Sequence, residues 1–229
     1  SHSEGIIIDR FSNTKGQNSS AIWHFDEGYG TSTYDSSRYG NTGTISGATW
    51  QTSDLCITGK CLKFNGTSDV VTVANTVSEV SSVGFWVKPT STTASMLALN
   101  ASAYISATSG VISATGFTSP TIYVNGVVST TLTDNVWQYI EVTTGTAISA
   151  SAITIGKANG AYTSGFTDEV KLYPFARSAA QVKVEYSMGS VASTGLVGYW
   201  KMDEASGTLS DASGNSNTGT WNGTGGSHY

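Results

Sequence analysis

The chain has 229 residues, of which only 12% are charged, and a formal net charge of −5. That length supports a β domain with a sizeable core, and the shortage of charge among abundant Ser, Thr and Gly suits sheets whose outer faces are neutral and polar. The negative balance, with eleven Lys and Arg scattered singly, excludes nucleic acid as a partner, and the absence of any long apolar run excludes membrane insertion by a helix.

No signal-peptide pattern opens the chain, which reads as a mature or trimmed segment. Residues 1–19 form an extension whose one apolar element is Ile6-Ile7-Ile8. It fits an edge strand laid on its own sheet, or a strand donated to a neighbour. Next comes a segment that returns later in the chain. Ala21-Ile22-Trp23-His24-Phe25-Asp26-Glu27-Gly28 is echoed by Gly198-Tyr199-Trp200-Lys201-Met202-Asp203-Glu204-Ala205. After a one-residue slip, residues 35–44 are echoed by 211–220.

Cys56 and Cys61 flank a Thr58-Gly59 turn signal, and no further ligands stand near enough in sequence to suggest a metal. This pattern favours a disulfide over two free thiols, and with it an extracellular or cell-surface location. Four Asn-X-Ser/Thr sequons, at Asn18, Asn65, Asn100 and Asn222, agree with that compartment. Short β-branched and aromatic runs predict strands at 69–73, 83–87, 122–128, 136–142 and 153–155. Asn125-Gly126 predicts a two-residue hairpin turn, because both residues tolerate the positive φ it requires. Pro174 ends the preceding strand, and Ser178 is placed to cap one short helix reaching about residue 187. The organisation expected is an all-β, two-sheet antiparallel jelly-roll sandwich over 20–187, a linker at 188–195, and a partial second repeat at 196–229.

Several of these segments together resemble the laminin-G-like jelly rolls of the concanavalin-A-like superfamily. The carriers are Trp23 to Gly28, Asp35 to Thr44, Lys63-Phe64-Asn65-Gly66, Phe85-Trp86-Val87-Lys88-Pro89, Trp137 to Val142, and Asp168 to Tyr173. The resemblance covers roughly residues 20–187. It implies two sheets packed face to face, the first and last strands adjacent in one of them, and occurrence in tandem in large surface proteins. It also implies a structural calcium joining those two strands, carried by Asp26, Asp35, Asn41 and Asp168. Two departures bear on that site: Arg38-Tyr39 replaces the Gly214-Asn215 of the second copy, and Asn65 stands where the family often has Asp.

Calcium takes six to eight oxygens, which these side chains and the carbonyls of the Gly-rich loop would supply. The competing reading is that the same side chains accept hydrogen bonds from turn N–H groups. Hydrolysis of a glycan needs two facing carboxylates, whereas the paired acids here are adjacent in sequence and point to opposite faces of a strand. The three histidines, His2, His24 and His228, form no nucleophile triad. The expectation is therefore a non-catalytic module. Trp23, Trp86 and Trp137 read as core residues and Trp50 and Trp221 as weaker candidates for sugar stacking, so the ligand-binding residues stay open. Two functions follow: adhesion or recognition of a glycan or surface protein, or a structural subunit of a filament or surface layer, self-associating by strand exchange through its termini.

Overall fold

The computed structural model describes residues 19–189, 200, 208–209 and 217–220. Nearly all of the N-terminal extension, the linker and much of the second copy lie outside the described residues, as does Trp221. The strands run in chain order as β1 (Ala21–Trp23), β2 (Ser32–Thr33), β3 (Gly43–Ser46), β4 (Thr49–Gln51), β5 (Cys61–Asn65) and β6 (Val70–Val73). There follow β7 (Val77–Pro89), β8 (Ala94–Ala98), β9 (Tyr104–Thr108), β10 (Val111–Thr115), β11 (Thr121–Val124), β12 (Val127–Val128) and β13 (Gln138–Ala150). The domain closes with β14 (Ile153–Ile155), β15 (Lys157–Ala158), β16 (Ala161–Tyr162), β17 (Ser164–Tyr173) and helix α1 (Ala179–Gly189).

Two antiparallel sheets account for the architecture. One is ordered β12-β11-β13-β7-β17-β5-β4, with β1 also on β17; the other is ordered β10-β9-β8-β14-β6-β3-β2. Side chains alternate between faces along a strand. Accordingly Val83, Phe85 and Val87 of β7, Ile140 and Val142 of β13, and Val170 and Leu172 of β17 meet Val71, Leu97, Ile105 and Ile155 of the opposite sheet in one core. Trp23 and Phe25 are fully buried in it. Burying side chains of this size contributes roughly 1.5–3 kcal/mol each.

The opposite parity of the same strands gives the first sheet an apolar outer patch. Trp86, Tyr123 and Tyr139 form a second small cluster with Val182 of α1. Ser178 caps that helix: its Oγ accepts from the Gln181 N–H at 3.3 Å, while Gln181 Oε1 accepts from the Ser178 N–H at 2.9 Å. At the β11–β12 turn Asn125 and Gly126 take φ of 52° and 79°, the left-handed pair that a tight hairpin needs. The first and last strands of the sandwich are neighbours: Ala21 pairs with Leu172, Ile22 with Lys171 and Trp23 with Val170.

The sequence repeat is also a structural one. Ser32 pairs with Thr44 and Thr33 with Gly43. In the second copy the strands β18 (Thr208–Leu209) and β19 (Gly219–Thr220) likewise form an antiparallel pair, Thr208 with Thr220 and Leu209 with Gly219. The indole N–H of Trp23 donates to the carbonyl of Asn41 at 2.7 Å, and that of Trp200 to the carbonyl of Asn217 at 2.6 Å.

Candidate functional site

Asp35 and Asn41 sit where β1 meets the loop before β3. Asp35 Oδ1 accepts from the N–H groups of Ile22 and Ser37, both at 2.8 Å. Its Oδ2 accepts from Ser37 Oγ at 2.7 Å, from the Asn41 N–H at 2.9 Å and from Asn41 Nδ2 at 2.8 Å. Five donors thus occupy the lone pairs that a cation would need. Asn41 Nδ2 also donates to the Ser20 carbonyl at 3.1 Å. This pair closes the turn behind β1 and tethers it to the first strand.

Asp26 and Asp168 lie elsewhere, under and beside one loop. The disulfide Cys56–Cys61, with Cα atoms 5.5 Å apart, draws residues 57–60 over the bulge in β17. Asp168 is fully buried there. Its Oδ2 accepts from the N–H groups of Ile57 at 3.1 Å and Thr58 at 3.2 Å, while Oδ1 is buried without a hydrogen-bond partner. Burial first, then the neighbouring charge of Glu169, pushes its pKa up to about 8. Asp26 Oδ1 accepts from the Lys60 N–H at 2.8 Å. A Cβ on Gly59 would collide with that same oxygen, so the close approach of loop and carboxylate requires glycine. The four residues expected to bind calcium therefore separate into two pairs. Among the described residues no three His, Cys, Asp or Glu side chains converge as a metal would need. Asn65, for its part, caps a turn by accepting from the N–H groups of Thr67, Ser68 and Asp69.

A chain of ion pairs, which sequence reasoning missed, crosses the outer face of the same sheet. Glu169 contacts His24 Nδ1 at 2.7 Å and Lys171 Nζ at 2.8 Å, and Lys171 reaches Glu185 of α1 at 2.7 Å. Arg177 then joins Glu185 at 3.2 Å to Glu141 at 3.1 Å. Tyr139 OH donates to Glu141 Oε2 at 2.7 Å. Burial raises the pKa of Glu141 even against Arg177. For Glu169 and Glu185 burial works in the same direction but loses to their cationic partners, and both pKa values fall. The network ties β1, β13, β17 and α1 together.

Beside it runs a row of a different kind. Phe166 of β17 pairs across the sheet with Lys63 of β5 on one side and Lys88 of β7 on the other. The ammonium groups of both lysines lie 5.6 Å from the Phe166 ring centroid. Trp137, which enters β13, extends the row with its ring 6.2 Å from Phe166 at 57°. The Trp137 N–H donates to the Leu55 carbonyl at 3.1 Å, so the segment leading into the disulfide loop borders the row as a wall. Trp23 and Trp86 are buried as expected, whereas Trp137 and Phe166 are half-exposed. A separate cleft of about 470 Å³ lies at the other end of the sandwich, lined by Tyr39, Asn41, Asn75 and Glu79 among others.

No protein-family model matches the chain, and no curated protein matches its sequence. Solved structures do share its architecture. The binding domain of Paraclostridial Mosquitocidal Protein 1 superposes with a TM-score of 0.52 at 14% identity, over 75% of this chain and 52% of that one. The botulinum neurotoxin type G receptor binding domain gives 0.51 at 13% identity, over 76% and 52%. Domain 4 of AbnA, a GH43 extracellular arabinanase from Geobacillus stearothermophilus solved with arabinotriose, gives 0.47 at 20%, over 74% and 98%. The chain spans about half the length of the two toxin domains. At these identities the likeness to the first two is one of fold, and with the two antiparallel sheets it places this chain among the two-sheet jelly-roll β-sandwiches.

Proposed function

We propose that this chain is a non-catalytic, extracellular recognition module of the laminin-G-like type, and that it binds glycan on the outer face of its first sheet. The observation that carries the reading is the half-exposed Phe166–Trp137 pair, standing beside a wall held by a disulfide. Aromatic faces present a rigid apolar surface at small entropic cost, which suits the C–H face of a sugar ring. The disulfide supports an oxidising compartment. The toxin type G structure that shares the fold is a receptor binding domain by name; a fold alone does not carry a function, so this agrees with recognition without establishing it.

The acids support a non-catalytic role. Asp168 and Glu141 have raised pKa values, as a general acid would. Both side chains are nevertheless fully buried, Asp168 bonded to the disulfide loop and Glu141 bonded to Arg177 and Tyr139, out of reach of a substrate. Calcium belongs to the proposal only at Asp26 and Asp168, where one buried oxygen has no partner; when bound it would offset the carboxylate charge and add no chemistry. Melting in calcium and in chelator tests this, and an unchanged midpoint removes the ion. A glycan array probed with the full chain tests the recognition reading: binding to any defined saccharide supports it, and a blank array contradicts it.

A further inference from the structure

We infer that the ligand of the Phe166 row is an anionic saccharide, held by Lys63 and Lys88 at its acidic group and by Phe166 and Trp137 along its apolar face; this rests on the glycan-recognition reading above. The strand register sets Lys63, Phe166 and Lys88 side by side on three adjacent strands, and both ammonium groups approach one ring. Neither lysine joins an ion pair among the described residues, although the chain carries an excess of acids. The contrast lies on the same sheet: Lys171 and Arg177 are each paired with two glutamates. The Phe166 ring is the partner shown for Lys63 and for Lys88. An exposed cation–π contact is weak, and two like charges over one ring repel each other. An anionic group that reaches both ammonium heads would offset that repulsion.

The form of that anion follows from the rings. A bare phosphate or sulfate would use the lysines and leave Phe166 and Trp137 idle. A neutral sugar would use the rings and leave two cations uncompensated. A saccharide bearing a carboxylate or a sulfate ester uses all four side chains. Lys63 is exposed and Lys88 half-exposed, so both heads reach solvent on flexible stems.

The test is calorimetry and array binding with the full chain, using oligogalacturonate, a sulfated oligosaccharide, neutral xylo-oligosaccharide and inorganic sulfate. The expected result is binding to one or both acidic saccharides that weakens from low to high salt, and that falls at least tenfold in K63Q/K88Q and in Phe166→Ala. Circular dichroism shows whether each variant is folded, and K63Q/K88Q leaves every buried contact intact. Preference between oligogalacturonate and the sulfated probe names the acidic group. Binding to neutral saccharide alone overturns the inference and leaves glycan recognition standing. So does acidic binding unaffected in K63Q/K88Q, or inorganic sulfate binding as tightly as the saccharides. A blank with every probe overturns both readings.

Discussion

Arg177→Met isolates the buried ion network. In the wild type Arg177 Nη1 lies 3.1 Å from Glu141 Oε2, and Glu141 is fully buried. Methionine keeps a comparable stem over Tyr173, where the guanidinium carbon sits 4.4 Å from the ring centroid, but removes the charge. Glu141 then retains only the Tyr139 hydroxyl, since its Oε1 already has no partner. Breaking one side of a buried pair costs about 3–5 kcal/mol. The pH dependence has a definite sign. Burial already raises the folded-state pKa of Glu141, so its contribution to stability is greatest at low pH and declines as pH rises through the folded value. Without Arg177 the pKa rises further, and every pH unit below it returns about 1.4 kcal/mol by protonation. Urea unfolding should show a loss near 3–4 kcal/mol at pH 8, shrinking by roughly 1–2 kcal/mol at pH 5. Glu141→Gln combined with Arg177→Met should recover most of the loss at pH 8, because no unpaired buried charge then remains at position 141, while Glu185 keeps Lys171 as its partner. A single-variant loss below about 1 kcal/mol, a loss independent of pH, or a double variant as unstable as the sum of the singles would refute the reasoning.

Asp35→Ala should lower stability by roughly 2–4 kcal/mol, since three backbone donors and the Ser37 and Asn41 side chains lose their acceptor; chemical denaturation in calcium and in chelator should give the same loss, and a calcium-dependent loss would restore Asp35 as a ligand. Replacing Cys56 and Cys61 by Ser opens a short loop, with a sequence separation of 5, and should cost about 2 kcal/mol by loop-closure entropy; hydrogen exchange at Ile57 and Thr58 should quicken, and unchanged protection would show that Asp168 alone holds the loop. Gly156→Ala would drive a Cβ into the Phe64 ring at φ +82°, so a fall in thermal midpoint corresponding to at least about 2 kcal/mol is expected; a midpoint within error of wild type would contradict the packing at that turn.

Much of the sandwich is legible from local pattern. Residues 83–87 and 136–142 stand out as short runs of β-branched and aromatic residues, Asn125-Gly126 dictates its turn, and Ser178 announces the helix. The strands β8, β9 and β10 are not anticipated, because Ala, Ser and Thr dominate them and their large buried members, Met96, Leu97, Ile105 and Ile112, are set among small residues that carry little strand signal. The length of β13 is missed for the same reason: beyond Val142 it continues through Thr143 to Ala150 across register shifts against β7. At the β1–β17 seam two readings stand open in the sequence, calcium or turn hydrogen bonds, and Asp35 is committed to the turn by its five donors. Lys63, Lys88, Trp137 and Phe166 include three members of the quoted motifs, yet their meeting depends on strand register across a separation of many residues, which periodicity does not encode. The same holds for Glu141, Lys171, Arg177 and Glu185.

The most direct test of the account is a titration of the isotopically labelled chain with oligogalacturonate and, separately, with the sulfated oligosaccharide, followed by two-dimensional amide NMR. The account predicts that shift changes concentrate on residues 62–64, 86–88, 137–138 and 165–167, with the Trp137 indole N–H among the largest. Changes gathered instead around Tyr39 and Asn75 to Glu79, at the 470 Å³ cleft, or none at saturating saccharide, would contradict it.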